Sequence, residues 1–230
     1  MQGQSFDFFS NEKWIITHKI KSIVGTTYNL NGETLVLPGK KSTYKKFNEQ
    51  GILLENITYS LGGEAVREET NTLDETNSVI EIRLFEAHKN SVQKVYYKKT
   101  SVGTIAEKLV VKPNKAFEKY VYKYNSKLQL IAYDLYDSEF GYTHTTFAYN
   151  ANQDISTTIE YNSYNEPYTT TKFIYNDRAR LVECTSVDAD NEIDYKYSYT
   201  YTPDGSLQWQ TIYSRSGQPL QITKFNYDLY

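Results

Sequence analysis

The side chains that most often carry chemistry are few and scattered. Histidines stand at His18, His88 and His144, with no His-x-x-x-His spacing. A zinc site needs three or four convergent ligands, and this spacing supplies none. The single cysteine, Cys184, lies in a strand-patterned stretch with no histidine beside it in sequence. It reads as a small packing residue rather than a nucleophile, and it permits no intrachain disulfide. The densest acidic run is Asp188-Ala189-Asp190-Asn191-Glu192-Ile193-Asp194. A calcium-binding EF-hand loop needs glycine at its sixth position and glutamate at its twelfth, where this chain has Ile193 and Tyr199, so a solvated hairpin turn is expected there. No Gly-x-Ser-x-Gly elbow and no phosphate loop is present. The residues therefore point to no catalytic group, no metal and no cofactor. With 28 acidic residues, a carboxylate pair for hydrolysis stays open, but no spacing selects one. The residue most out of character is Trp209, whose counterparts in the repeat described next are Glu55, Ala132, Thr157 and Glu183. Trp209 and the nearby Tyr213 form the candidate ligand-binding pair, an aromatic platform of the kind used by sugars and protein hot spots. The competing reading is a core cap near the chain end, where terminal repeats are atypical.

The elements that must position these residues follow a period. The pattern aromatic, any residue, Tyr, then usually Asn or Asp recurs with its second aromatic at Tyr124, Tyr149, Tyr175, Tyr201 and Tyr227. A weaker copy sits at Phe47-Asn48, with degraded copies expected near Leu73-Asp74 and Tyr97-Lys98, and Tyr28-Asn29-Leu30-Asn31-Gly32 stands out of phase. Six residues after the anchor comes an apolar residue, Leu53, Leu130, Ile155, Leu181 or Leu207, and a second polar turn follows. Each unit of about 26 residues thus reads strand, turn, strand, turn. Alternate strand residues share a face, so the two aromatics of an anchor point the same way and form a ladder with their neighbours. Asn, Asp and Gly after the anchor suit turns that need left-handed or side-chain-capped backbone.

The first hundred residues are less regular. Val79–Phe85 and Val92–Lys98 read as a hairpin around 88–91, Thr104–Val111 as a strand before a turn at Pro113-Asn114, and Trp14–Val24 as a strand after a short helix start at Ser10-Asn11-Glu12. No Pro/Gly/Ser linker interrupts the chain. Residues 1–116 are taken as a divergent β-repeat region and 117–230 as the regular one, in one continuous array.

Composition narrows the class. Tyrosine is abundant, at 23 of 230 residues, with 10 Phe, which favours pleated half-buried sheet surfaces. The formal charge of −3 shows no basic face for a nucleic-acid backbone. No apolar run approaches a membrane span, and mean hydropathy is −0.63. The strands are polar on both faces, which counts against an outer-membrane barrel. Met1-Gln2-Gly3-Gln4-Ser5 carries neither a basic nor an apolar leader region. A cytosolic chain and a mature chain freed of its signal peptide both fit, and the repeat type favours the second.

Tyr175-Asn176-Asp177-Arg178-Ala179-Arg180-Leu181 and Tyr201-Thr202-Pro203-Asp204-Gly205-Ser206-Leu207 resemble the YD repeats of the rearrangement-hotspot family. The resemblance covers about residues 117–230; the period here is longer and the turns use Asn more than Gly. The pattern is equally similar to MORN-like hairpin repeats and to secreted β-repeat proteins of Bacteroidota. It implies an all-β fold of antiparallel hairpins in a wound or single-layer extended sheet, on a cell surface, outside the cell or in the periplasm, with no catalytic residues. The expected function is non-catalytic binding of protein or glycan through an aromatic-rich face. The alternatives are an intracellular immunity-type partner of another protein and a hydrolase with carboxylates in a sheet cleft. A single-layer array leaves edge strands exposed, so Thr223–Leu229 is expected to be covered or to pair with a second copy in an edge-strand homo-oligomer.

Overall fold

The structure, a computed structural model, describes residues 12–31, 34–60, 62–86 and 89–230. The start of the chain through Asn11, with the helix start and leader question read there, and Leu61 and His88 lie outside the described residues. Among the described residues one helix, α1 (Glu12–Thr17), precedes seventeen strands: β1 (Ile20–Asn31), β2 (Thr34–Leu35), β3 (Lys40–Phe47), β4 (Leu53–Tyr59), β5 (Ala65–Leu73), β6 (Val79–Glu86), β7 (Lys89–Lys99), β8 (Ile105–Val111), β9 (Phe117–Tyr124), β10 (Leu130–Asp137), β11 (Gly141–Tyr149), β12 (Ile155–Tyr161), β13 (Pro167–Tyr175), β14 (Leu181–Asp188), β15 (Ile193–Tyr201), β16 (Leu207–Tyr213) and β17 (Pro219–Leu229). The expected strand over Trp14–Val24 is split. Lys19, at φ 51°, takes the left-handed conformation that ends the helix, and β1 starts at Ile20.

The turns explain why Asn and Asp recur. Asn125 N–H donates to the Gln129 carbonyl and Leu128 N–H to the Asn125 carbonyl, while Asn125 Oδ1 accepts from the backbone N–H of Lys127 and Gln129. The same backbone pair of bonds recurs from Asn48, Asp74, Thr100, Asn150, Asn176 and Thr202. The residue three places on takes positive φ, as in Gln153 at 71° and Ala179 at 55°. This is the three-residue hairpin loop with one left-handed position, and an Asx side chain at its start supplies the acceptor its N–H groups need. A bulge follows the loop, as between the pairs Ile174↔Glu183 and Tyr175↔Leu181.

The anchor tyrosines act as clasps. Tyr124 Oη donates to the Ile105 carbonyl at 2.9 Å, Tyr149 to Leu130 at 2.7 Å, Tyr175 to Ile155 at 2.8 Å and Tyr227 to Leu207 at 2.5 Å. In each case a phenol at or, for Tyr227, two residues before the end of one strand reaches the first carbonyl of the strand before it. A hairpin joined by a turn at one end is thereby tied at its open end. The apolar residue six places after an anchor is thus the seat of the next clasp.

The pairing corrects the expected extended or wound sheet. All seventeen strands belong to one antiparallel sheet in which β1 pairs with β3 and with β17. The pairing therefore returns on itself as a sixteen-strand barrel, with β2 a short side strand on β1. The last strand lies between β1 and β16 rather than at an edge. It is covered, as expected, but by its own chain, which removes the free edge that an edge-strand homo-oligomer needs. The physical reason is that the twelve-residue β1 pairs along both of its edges, with β3 and with β17, and Gly25 leaves room where their side chains meet. A Cβ there would stand 2.6 Å from Thr43 Cγ2 of β3, 3.2 Å from Thr223 Cγ2 and 3.3 Å from Phe225 Cε1 of β17.

The chain divides into two compact units, 1–91 with 200–211 and 219–230, and 92–199 with 212–218. In the first, Ile15, Ile20, Ile23, Phe47, Leu207 and Phe225 form the buried apolar set. Thr27 and Thr223 meet there at 2.8 Å between hydroxyls, across the directly opposed Thr27↔Thr223 pair. In the second, Val95, Val110, Phe173, Cys184 and Tyr199 are buried.

Candidate functional site

In the second unit the strand register defines two faces, because directly opposed residues project to the same side. One face runs from Lys108 through Tyr120, Tyr122, Tyr133 and Thr145 to Glu160, as the pairs Lys108↔Tyr120, Tyr133↔Tyr122, Tyr133↔Thr145 and Thr145↔Glu160 show. It continues across β13 to β15 through Thr171↔Ser186, Phe173↔Cys184, Ser186↔Tyr195 and Cys184↔Tyr197. Its rings touch. Tyr133 lies 6.0 Å from Tyr120, 6.1 Å from Tyr122 and 6.0 Å from Phe147 between centroids, and Tyr195 lies 5.3 Å from Tyr197. All of these rings are partly exposed rather than sealed.

The hydroxyls are held in place. Tyr120 donates to Glu118 Oε2 at 2.9 Å and Tyr168 to Glu160 Oε2 at 2.7 Å. Thr171 Oγ1 donates to Ser186 Oγ at 3.1 Å and stands 3.3 Å from Tyr195 Oη. Burial, reinforced by the neighbouring carboxylates, pushes the Tyr120 and Tyr168 phenols well up, so both remain neutral donors. At one end of the face Lys112 gathers Glu118 at 3.1 Å, Glu139 at 3.0 Å and Asp137 at 3.8 Å. Burial pulls the Lys112 ammonium down, and its bonds to Glu139 and Glu118 outweigh that, so its proton is held more tightly than usual. Carboxylates do gather here, but around a lysine.

Cys184 is fully buried. Burial first, and Glu183 second, push its thiol up to about 12. A thiol so placed is a packing group, not a thiolate nucleophile.

The opposite face carries Lys98 and Lys119 on Glu107, Lys196 on Glu183, and a cluster centred on Asp134. Asp134, only 6% exposed, accepts from Lys123 at 2.8 Å on Oδ2, and from Tyr142 at 2.8 Å and His144 Nδ1 at 2.7 Å on Oδ1. A carboxylate accepts only, so His144 carries its proton on Nδ1. Burial alone pushes the Asp134 carboxyl up; the bonds from Lys123, Tyr142 and His144 outweigh it and hold it below the usual range. His144 therefore has a partner, which sequence spacing did not reveal. The only signal was the Asp134↔His144 register across the β10–β11 hairpin, and that is set by a turn. Among the described residues no group of three or more His, Cys, Asp or Glu gathers to hold a metal.

The candidate pair Trp209 and Tyr213 falls in different compact units. Trp209 is partly exposed. Its ring lies 6.1 Å from that of Tyr28, and Lys224 Nζ sits 5.6 Å from its centre. Tyr28 in turn packs over Gly39, where a Cβ would collide with the ring. Tyr213 is also partly exposed; its hydroxyl is 2.9 Å from Ser198 Oγ and Lys196 Nζ lies 5.8 Å from its ring centre. Each aromatic thus already has a lysine over its ring.

No family model and no curated protein matches the chain. Among solved structures it is similar to a porin-like protein from Bacteroides uniformis, at 10% identity and a TM-score of 0.41, over 91% of this chain and 98% of that one. It is similar to a porin-like protein from Bacteroides vulgatus, at 9% identity and a TM-score of 0.43, over 89% and 98%. A third likeness is to TcdB2-TccC3 without its hypervariable C-terminal region, at 12% identity and a TM-score of 0.38, over 86% of this chain but 11% of that one.

Proposed function

We propose that this chain is a non-catalytic binding module working at the cell surface, outside the cell or in the periplasm, and that it holds protein or glycan against the tyrosine-bearing face of β9 to β15. The observation that carries the reading is the contiguous Tyr120, Tyr122, Tyr133 and Phe147 ring group, partly exposed and flanked by hydroxyls already fixed by Glu118 and Glu160. Rings that offer an apolar surface beside oriented polar groups suit a polyhydroxylated ligand, which stacks its C–H faces and bonds through its hydroxyls. Fixing those side chains in advance lowers the entropy that binding must overcome. The charged pairs on the opposite face, Lys98–Glu107–Lys119 and Lys196–Glu183, support a water-facing surface there rather than a lipid-facing one.

The test is a panel of immobilised glycans and purified surface proteins probed with the wild type and with Tyr133→Ala. Binding to a glycan class that Tyr133→Ala weakens at least tenfold supports the reading. Binding that Tyr133→Ala leaves intact while the protein stays folded removes this face from the function.

A further inference from the structure

Beyond ligand binding, the structure assigns Tyr136 and Tyr142 as a site of oxidative tyrosine–tyrosine cross-linking within the β10–β11 hairpin, driven by a peroxide-dependent one-electron oxidant. The two residues are directly opposed in the register, one pair from the turn. Their ring centroids are 5.1 Å apart, with planes at 44°. Tyr136 is 46% exposed, so an oxidant can reach it. The Tyr142 hydroxyl donates to Asp134 Oδ1 at 2.8 Å.

This last contact supplies what tyrosine oxidation requires. The bond to Asp134, with burial second, pushes the Tyr142 phenol up to about 12, so it is neutral at physiological pH. Removing an electron from a neutral phenol releases its proton, and Asp134 Oδ1, which already accepts that O–H, is placed to take it. Asp134 already receives bonds from Lys123 and His144, so the proton enters an existing polar network. Tyr136 loses its own electron and releases its proton to solvent. The two ring radicals then couple through a new carbon–carbon bond between positions ortho to the hydroxyls, and the ring hydrogens there move to oxygen as each ring regains aromaticity. Two phenols lose two electrons and two protons in all, and one peroxide is reduced to two waters.

Among the described residues, no other close tyrosine pair combines these features. Tyr195 and Tyr197 are 5.3 Å apart but neighbours on one strand, on the less exposed face, and Tyr195 is bonded within the Thr171 and Ser186 hydroxyl group. Tyr164 is 83% exposed, with no ring partner among the described contacts.

The experiment treats the folded chain with horseradish-type peroxidase and limiting hydrogen peroxide. Intact mass and dityrosine fluorescence are read, followed by proteolysis at Asp137 or Glu139, which lie between the two tyrosines. Expected is a monomer lighter by two hydrogens whose peptides bearing Tyr136 and Tyr142 stay joined after cleavage. Tyr136→Phe and Tyr142→Phe each abolish that joined peptide, and Asp134→Asn slows its formation while Tyr164→Phe does not. Thermal unfolding checks that each variant remains folded. Cross-links spread over other tyrosines, a product made mainly between copies through Tyr164, or an unlinked 136–142 pair under conditions that couple free tyrosine would overturn the assignment.

Discussion

Replacing the clasp tyrosines Tyr124, Tyr149, Tyr175 and Tyr227 by phenylalanine removes one hydroxyl each and keeps every ring. The lost interaction is a single O–H···O=C bond of 2.5–2.9 Å to the carbonyl that opens the preceding strand. Burial pushes all four phenols up, Tyr175 to about 12, so each is a neutral donor throughout the working range. A bond of this kind contributes about 1 kcal/mol net, within a range of about 0.5–1.5. The four clasps close different hairpins and share no partner, so their losses add. The quadruple variant is expected to lose about 4 kcal/mol, a large fraction of the roughly 5–15 kcal/mol by which folded domains are stable. At about 2–4 °C per kcal/mol for a chain of this size, each single change lowers Tm by about 2–4 °C. Urea unfolding and thermal denaturation of each single variant, the quadruple variant and a Tyr164→Phe control measure this. Tyr164 is 83% exposed, and its change should lie within about 0.5 kcal/mol of zero. If the four anchor variants match that control, the periodic tyrosines are not clasps and their spacing needs another cause.

Gly25→Ala introduces a methyl 2.6 Å from Thr43 Cγ2, where β1 is wedged between β3 and β17, and overpacking there is expected to cost about 1–3 kcal/mol in denaturant unfolding. Asp134→Asn keeps the size but loses the charge that holds Lys123, Tyr142 and His144, for an expected loss of about 2–3 kcal/mol at pH 7. Because the folded carboxyl is held below its unfolded value, that stabilisation is complete above about pH 4 and fades as the pH falls through the depressed folded value. The gap between wild type and Asp134→Asn in stability-versus-pH curves should therefore close in acid, and a gap that widened there would contradict the sign. Cys184 is inaccessible, and its thiol is pushed up to about 12. It should resist a thiol reagent in the native protein and react in step with global unfolding as denaturant is added; rapid native labelling would show that the strand opens locally.

The local level of this fold is readable from residues. Tyr followed by Asn marks where a strand stops and a capped turn begins, because both the phenol clasp and the Asx acceptor act within some twenty residues. Upstream the reading weakens for a specific reason. The turn persists at Asp74 and Thr100, but the preceding residues are Leu73 and Lys99, which have no phenol to donate. Turn geometry depends on backbone and cap, so it outlasts the aromatic signature. Closure was not legible. Alternating polar strands look the same in an open sheet and a closed one, and the β1–β17 register joins Ile23 to Tyr227 across nearly the whole chain. The Asp134 cluster was hidden for a related reason. Its members come from three strands, and only the turn between Asp137 and Gly141 sets His144 opposite Asp134 rather than one place away. Trp209 stood out in the repeat, yet the fold places it against Tyr28 with Lys224 over it, a context no residue count reveals.

The most direct measurement is calorimetric titration of the glycan or protein hit from the panel into wild type, Tyr122→Ala, Tyr133→Ala and Tyr164→Ala. The two changes on the ring face are each expected to weaken binding at least tenfold, while Tyr164→Ala leaves it unchanged. Equal affinities across all four proteins, with their folds intact, would contradict a binding role for the tyrosine-bearing face.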